Sequence, residues 1–228
     1  MKETDEITAA LDELGISASD LGGPDKDSPP TKLHPIIAFG IGAFCVANLG
    51  LLMSLPPVLR GKGAPYLPTF QKNLDAMFRQ LRQQPHFQKQ IRDGTKLTFV
   101  DLGSGDGRVV FRAAAENLFV KSTGYELNPL LHLLASGRRW VGGPRQWELT
   151  TFYCSDLWNV DLRRANVVTV YGLGPIMKDL GTKLENELSP GSFILSNVFT
   201  FPGWKPQSTQ GGTYIYRTPN CWQSENRL

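Results

Sequence analysis

Hydrophobic residues recur along most of this chain with two alternating periods, and together these lay out an α/β domain. Phe70, Leu74, Met77, Phe78 and Leu81 return at helical spacing, so a helix with one apolar face is predicted to lead the domain. The run from Leu97 to Leu102 is β-branched and aromatic and reads as a strand. An apolar-periodic stretch over 107–117 predicts the helix that follows it. A second strand is expected over 122–126, then a helix over 129–139 with Pro129 at a favoured first-turn position. A third strand is expected just before Asp156, a fourth over 166–171, a helix over 175–188 and a fifth strand over 192–198. Strands that alternate with helices predict a parallel, doubly wound sheet with its site at the carboxyl ends of the strands. A closing hairpin is expected from 204–208 and 213–217, turning at Gln210-Gly211-Gly212.

Upstream of this domain the pattern changes twice. Residues 1–35 are acidic and broken by Gly22-Gly23-Pro24 and Pro29-Pro30, which predicts a flexible tail with at most a short amphipathic helix over 6–14. Residues 36–55 carry no charge, and twenty residues at a helical rise of about 1.5 Å reach roughly 30 Å, the thickness of a bilayer core. A cleaved signal peptide does not fit the acidic front or the long apolar run, and apolarity on every face does not fit a helix packed on a sheet. The run therefore reads as a single transmembrane helix, stopped by Pro56-Pro57. Basic residues follow it, Arg60, Lys62, Lys72 and Arg79 among them, which favours the positive-inside face for the domain at 61–217. The front end is no Arg-rich, acid-poor transit peptide. Residues 218–228 are left as a C-terminal tail.

The chemistry concentrates in Val100-Asp-Leu-Gly-Ser-Gly-Asp-Gly-Arg108. A strand that ends on an acid and then meets Gly103, Gly105 and Gly107 before a helix must turn tightly and present bare backbone to a ligand at a helix N-terminus. The dinucleotide fingerprint would need a third glycine where Arg108 stands, and an acid just before the first glycine does not suit a pyrophosphate. No Gly-Lys-Ser/Thr follows, so the loop is no Walker motif either. An acid in this place suits a ligand with cationic donors, and S-adenosylmethionine, with its ammonium and sulfonium, is such a ligand. Glu126 ends the second strand 23 positions past Gly103, where a carboxylate can accept both hydroxyls of a ribose.

Composition narrows the classes that remain. The chain has 228 residues, 41% hydrophobic and 20% charged, enough for one medium domain plus a tail. A formal net charge of +3 is too mild to imply nucleic acid. Cys45, Cys154 and Cys221 are odd in number and lack metal-ligand spacing, so free thiols are expected and no disulfide framework. His34, His86 and His132 are scattered, which argues against a metal site.

The glycine loop resembles the first motif of the class I, seven-strand methyltransferases, whose fold is a Rossmann-like doubly wound sheet. The resemblance extends through Pro65-Tyr-Leu-Pro-Thr69, Gly124-Tyr-Glu-Leu-Asn-Pro129, Asp156-Leu-Trp158 and Phe201-Pro-Gly-Trp204, which stand in the same order in the mitochondrial, single-anchor protein lysine methyltransferases. Those enzymes modify the adenine nucleotide translocase and the ATP synthase c-subunit. It covers 65–217 and implies cofactor binding by Asp101, Gly103, Ser104, Gly105, Gly107, Glu126 and Asp156, the last beside the adenine amine. It also implies a membrane-embedded protein substrate of carrier or c-subunit type and an inner-membrane mitochondrial address, and it makes Tyr66 and Thr69 candidates for lining the methionine end. Enzymes of the class that act on adenine or amide nitrogens carry Asn/Asp-Pro-Pro-Tyr after the fourth strand. Here Tyr171-Gly-Leu-Gly-Pro175 stands instead, which turns the expectation toward an amine. Tyr66, Trp158, Tyr171 and Asn197 are candidates for orienting it, on strand-end position alone. A methyltransferase of a membrane-soluble quinone or lipid and a non-catalytic, cofactor-binding assembly factor remain as alternatives.

Overall fold

The computed structural model describes residues 71–171 and 174–222. Its sheet has seven strands in the order β3-β2-β1-β4-β5-β7-β6. They are β1 Leu97–Leu102, β2 Phe119–Glu126, β3 Thr150–Cys154, β4 Val167–Val170, β5 Phe193–Asn197, β6 Ser208–Gln210 and β7 Thr213–Arg217. β1 to β5 pair in parallel, while β7 runs antiparallel to both β5 and β6. The expected parallel, doubly wound sheet is thus present over five strands, and the hairpin closes it as a mixed sheet. Strand order reverses between β1 and β4, which places the crevice of such a fold at their carboxyl ends.

Residues alternate between the two faces of the sheet, as the pleat requires. Leu97, Phe99, Val167, Phe193, Leu195 and Ile215 join Leu74, Met77, Phe78 and Leu81 of helix α1 (Gln71–Arg82) and Phe87 of α2 (Pro85–Arg92) in one buried cluster. Val100, Leu102, Val168, Val170, Ile194 and Tyr216 join Met177, Leu180 and Leu184 of the long helix Gly174–Glu187 in the other. Between β1 and β2 runs α3 (Arg108–Ala115), between β2 and β3 run α4 (Pro129–Val141) and α5 (Pro144–Leu149), and the long helix between β4 and β5 is α6.

Several expected bounds move. The second strand starts at Phe119, not 122, because its first residues already pair with β1. The helix expected over 107–117 covers Arg108–Ala115, with Gly107 as its left-handed N-cap. The first arm of the hairpin moves from the expected 204–208 to Ser208–Gln210, so that Gln210, expected in the turn, pairs with Thr213. Trp204 instead forms an isolated bridge with Trp222 and stacks on Phe201, ring centroids 4.5 Å apart. Packing continues past 217, where the tail was expected to begin, since Thr218 and Cys221 are fully buried. Two helices, α2 and α5, had no expectation attached to them.

No helix among the described residues is long and apolar enough to cross a membrane. The expected tail 1–35, the expected span 36–55, Cys45, His34, Tyr66 and Thr69 lie outside the described residues.

Candidate functional site

The carboxyl ends of β1 and β2 are stitched together by the glycine loop. Gly103 and Ser104 both donate their N–H to the carbonyl of Tyr125, at 2.9 and 3.0 Å, and Gly107 N–H returns to Ser104 O at 2.8 Å. Gly103 has φ +81°, a conformation closed to most side chains, and it is exposed to solvent. Gly107 has the same φ, and a Cβ there would come within 2.7 Å of the Phe152 ring. That glycine lets α3 lie against β3, where the Phe111 and Phe152 rings meet with centroids 5.2 Å apart.

Asp101 continues the alternate row Leu97, Phe99 on the α1 side of the sheet and is 4% exposed. One carboxylate oxygen, Oδ1, accepts a 2.6 Å hydrogen bond from Thr169 Oγ1 of β4. The other, Oδ2, is buried with no partner in the protein. Burial pushes the Asp101 carboxyl up to about 7, with Thr169 pulling the other way and Glu126 and Asp106 adding like charge. A buried carboxylate oxygen with no donor is costly and calls for an explanation. Ser104 Oγ, Asn128 Nδ2 and His132 Nδ1 are buried without partners in the same neighbourhood.

Glu126 sits at the end of β2 with both oxygens engaged. Oε2 accepts from Gly105 N–H at 2.7 Å and Oε1 from Asn128 N–H at 2.8 Å. Burial raises its carboxyl, against those backbone donors. Each carboxylate oxygen has a second lone pair to offer a hydroxyl donor. Asn128 in turn caps α4 through Oδ1 to Leu130 N–H at 2.9 Å. Asp156, two residues past β3, caps the short 3₁₀ turn Leu157–Asn159 by accepting from Trp158 N–H at 3.2 Å.

The remaining candidates divide. Trp158 is half-buried against the α6-side core, and Tyr171, also half-buried, directly follows β4. Asn197 ends β5 on the same face as Asp101, but its amide is already used. Oδ1 accepts from Thr213 Oγ1 at 2.8 Å, and Nδ2 lies 3.4 Å from Met77 Sδ. It therefore braces α1 against the hairpin.

Asp106, Arg138 and Thr169 carried no expectation from the sequence. Asp106 is the second acid of the loop, yet it is neutralised internally. Arg108 Nε and Nη2 each reach it at 2.9 Å, and Arg138 Nη1 of α4 at 2.6 Å. Burial would raise its carboxyl, but the two guanidiniums outweigh this and hold it below its ordinary value. Arg138 also lies over the Phe111 ring, 5.4 Å from its centroid. The signal for Asp106 was Arg108 two residues on, and for Thr169 a lone hydroxyl in Val167-Val-Thr-Val170.

Comparison with known proteins agrees with this architecture. Residues 101–208 match the ANTKMT methyltransferase domain. The ATP synthase c-subunit lysine N-methyltransferase of Xenopus laevis is 32% identical over 213 residues, 92% of this chain and 85% of that protein. The mouse protein of the same name is 36% identical over 69% of this chain, which spans only 58% of its length. Among solved structures, an RNA methyltransferase from Salinibacter ruber in complex with S-adenosyl-L-homocysteine superposes with a TM-score of 0.54 at 30% identity, over 66% of this chain and 92% of that one. The chain belongs to the protein lysine N-methyltransferase family that these relatives represent, a group of class I enzymes that use S-adenosylmethionine.

Proposed function

We propose that the protein methylates a lysine side chain of a membrane-embedded mitochondrial protein, of carrier or ATP synthase c-subunit type, and that 36–55 anchors it in the inner membrane as a single-pass helix. The observation that carries the cofactor half is the orphaned Asp101 Oδ2, a buried acceptor at a glycine turn. A cationic ammonium is the donor that would satisfy it and hold the carboxyl ionised. In the glycine loop of Gly103, Ser104, Gly105 and Gly107, Gly103 leaves exposed backbone beside it and the other three are buried. Glu126 has lone pairs left for ribose hydroxyls, and Asp156 stands two residues past β3 for an adenine amine. These residues therefore fit S-adenosylmethionine.

When bound, that cofactor supplies a methyl group on a sulfonium, so the protein has mainly to orient an amine and strip its water. A lysine of ordinary pKa near 10.4 must first lose its proton, which a desolvating pocket encourages. Tyr171 and Trp158 provide aromatic walls at the strand ends, and Tyr66 is the further candidate upstream. The substrate half rests on the names of the relatives and on the apolar run at 36–55. Anchoring raises the effective concentration of membrane-protein lysines without new contacts.

The test is transfer of labelled methyl from S-adenosylmethionine into isolated mitochondrial membranes by the full chain, with Asp101→Ala as control and protein and lipid fractions counted apart. Label in a small hydrophobic protein, lost in the variant, supports the reading. Label in the lipid fraction moves the substrate to a quinone or lipid. Cofactor binding without label in either fraction makes the protein a binding factor.

A further inference from the structure

Helix α4 is apolar on two opposite faces, and the fold uses only one of them. Leu131 and Ala135 are buried toward the sheet, while Leu133 is 67% exposed, Leu134 51%, Trp140 70% and Val141 91%. At about 100° per residue, Leu130, Leu133, Leu134, Gly137, Trp140 and Val141 fall within an arc about 120° wide. That stripe points away from Leu131 and Ala135. Helix α5 extends it with Trp147, whose ring lies 5.0 Å from that of Trp140 and whose indole N–H donates to Arg139 O at 3.0 Å.

Basic residues stand near this face: Arg138 at the margin of the α4 stripe, and Arg145 and Lys121 at α5, where the exposed acid Glu148 also lies; Arg139 is on the opposite side of α4, toward β3. Arg139 is held by the carbonyls of Trp147 and Thr150, Arg145 by Asn117 Oδ1, and Lys121 by the carbonyl of Glu148. Among the described residues none of these three is paired with a carboxylate. Arg138, paired with Asp106, still exposes 45% of its side chain. Exposed leucines beside the Trp140–Trp147 pair, with arginine and lysine at the margin, are what a helix lying in a membrane interface presents. The apolar residues reach the acyl boundary, the indoles sit at headgroup depth, and the basic margin meets anionic headgroups.

We infer that the α4–α5 face seats on an anionic bilayer surface, as a second membrane contact separate from the segment 36–55. It shares with the proposed function only the presence of a membrane. The start of α4 is tied directly to the strand ends, because the N–H of its cap Asn128 donates to Glu126 itself. The first turn of α4 thus stands beside the candidate site, while Trp140, Val141 and Trp147 lie at the other end of the helix, toward the start of β3 at Thr150.

The chain has five tryptophans, so the experiment reads the Trp140–Trp147 pair as the difference between the wild type and the variant that lacks both, which the anchor cannot mask. The full chain is bound to phosphatidylcholine vesicles, with and without an anionic lipid, whose acyl chains carry bromine as a tryptophan quencher. Quenching in the wild type that grows with anionic lipid, and is lost in Trp140→Phe/Trp147→Phe, is expected. Leu133→Glu/Leu134→Glu should weaken it while circular dichroism and binding of S-adenosylhomocysteine stay unchanged, both leucines being exposed. Equal quenching in wild type and the tryptophan variant overturns the inference. So does shielding of the pair from aqueous acrylamide without lipid, which would mean that another stretch of this chain or a second copy covers the face. Flotation separates the two membrane contacts. A chain that floats with the pair unquenched sinks this inference and leaves the anchor. Quenching at the pair that persists after deletion of 36–55 supports this inference whatever becomes of the anchor.

Discussion

Two turns leave the carboxyl ends of this sheet with backbone in the left-handed region, and they are built from opposite materials. After β1 the chain uses glycine, with φ +81° at the exposed Gly103 and +53° at the buried Gly105, so the conformation costs little and leaves bare backbone at the surface at Gly103. After β5 it uses Val198, a β-branched residue at φ +69° and 55% exposed. Phe199 N–H reaches back to Asn197 O at 2.8 Å, which makes Val198 the centre of a tight three-residue turn. Such a conformation costs about 1–3 kcal/mol and persists only where its surroundings enforce it. Here Ser196 Oγ donates to Phe199 O at 2.6 Å, Val198 N–H to Gly212 O at 2.8 Å, and Thr213 Oγ1 holds Asn197. One turn leaves a glycine exposed at little cost; the other holds an exposed valine side chain at a cost in strain.

The largest effect should come from the acid beside the glycine turn. Asp101→Asn is expected to weaken binding of S-adenosylhomocysteine and S-adenosylmethionine at least about 100-fold, the scale of losing one partner of a buried charge pair. Without ligand the same variant should melt at about the same temperature, because the buried charge is removed but the amide nitrogen that replaces Oδ2 finds no acceptor there. Calorimetric titration together with thermal unfolding checks both halves. A variant that binds normally would detach Asp101 from the cofactor. Next in size is Gly107→Ala, where a Cβ meets the Phe152 ring at 2.7 Å on top of φ +81°. About 2–4 kcal/mol of stability should be lost by denaturant unfolding. Gly103→Ala, with nothing within 4 Å of its Cβ, should lose only the conformational part, about 1 kcal/mol.

How much of this could be read from the letters differs between the same two turns. Leu97–Leu102 and the glycine loop were legible because strand period, acid and glycines agree locally, so the first strand was bounded to the residue. Tertiary facts were not legible. The α2 segment Pro85–Arg92 is polar apart from Phe87 and Ile91, and it is fastened by Phe87 packing edge-on to Phe193, ring centroids 5.6 Å apart. Helix α5 is six residues long with no buried residue, too short to leave a period. Both Asp101 and Asp106 sit in the motif, and only the fold separates the one left with an open oxygen from the one clamped by Arg108 and Arg138. Nothing in Ser196-Asn-Val-Phe199 announces a left-handed valine.

The pH dependence sharpens the role of Asp101 and is expected to be smaller than its removal. Its carboxyl titrates near 7 in the folded protein, above its value of 3.8 in an unfolded chain. The folded state therefore holds more protons between those values, and stability without ligand should fall as pH rises from about 4 to about 7, then level off. Affinity for a cationic ligand should run the other way. It gains up to about tenfold per pH unit below 7 and flattens above it. Titrations of S-adenosylhomocysteine from pH 6 to 8 would check this, with Asp101→Asn expected to remove the slope. A slope that survives in the variant would assign the titration to another group.

The smallest effect carries the sharpest distinction between the two turns. In Val198→Gly the left-handed penalty of about 1–2 kcal/mol disappears, and the added freedom of glycine in the unfolded chain takes back about 0.5–1 kcal/mol. The lost side chain is more than half exposed, so little packing goes with it. The net expectation is a gain of up to about 1 kcal/mol, or roughly 1–4 °C in melting temperature for a domain of this size. If methyl transfer falls while stability rises and cofactor affinity is unchanged, the strain at Val198 serves the side of the crevice that meets the target amine. If stability falls, valine packing outweighs the strain and the turn is ordinary structure. If stability rises with full activity, the strained side chain has no part in the reaction, and the contrast with the glycine turn is conformational only.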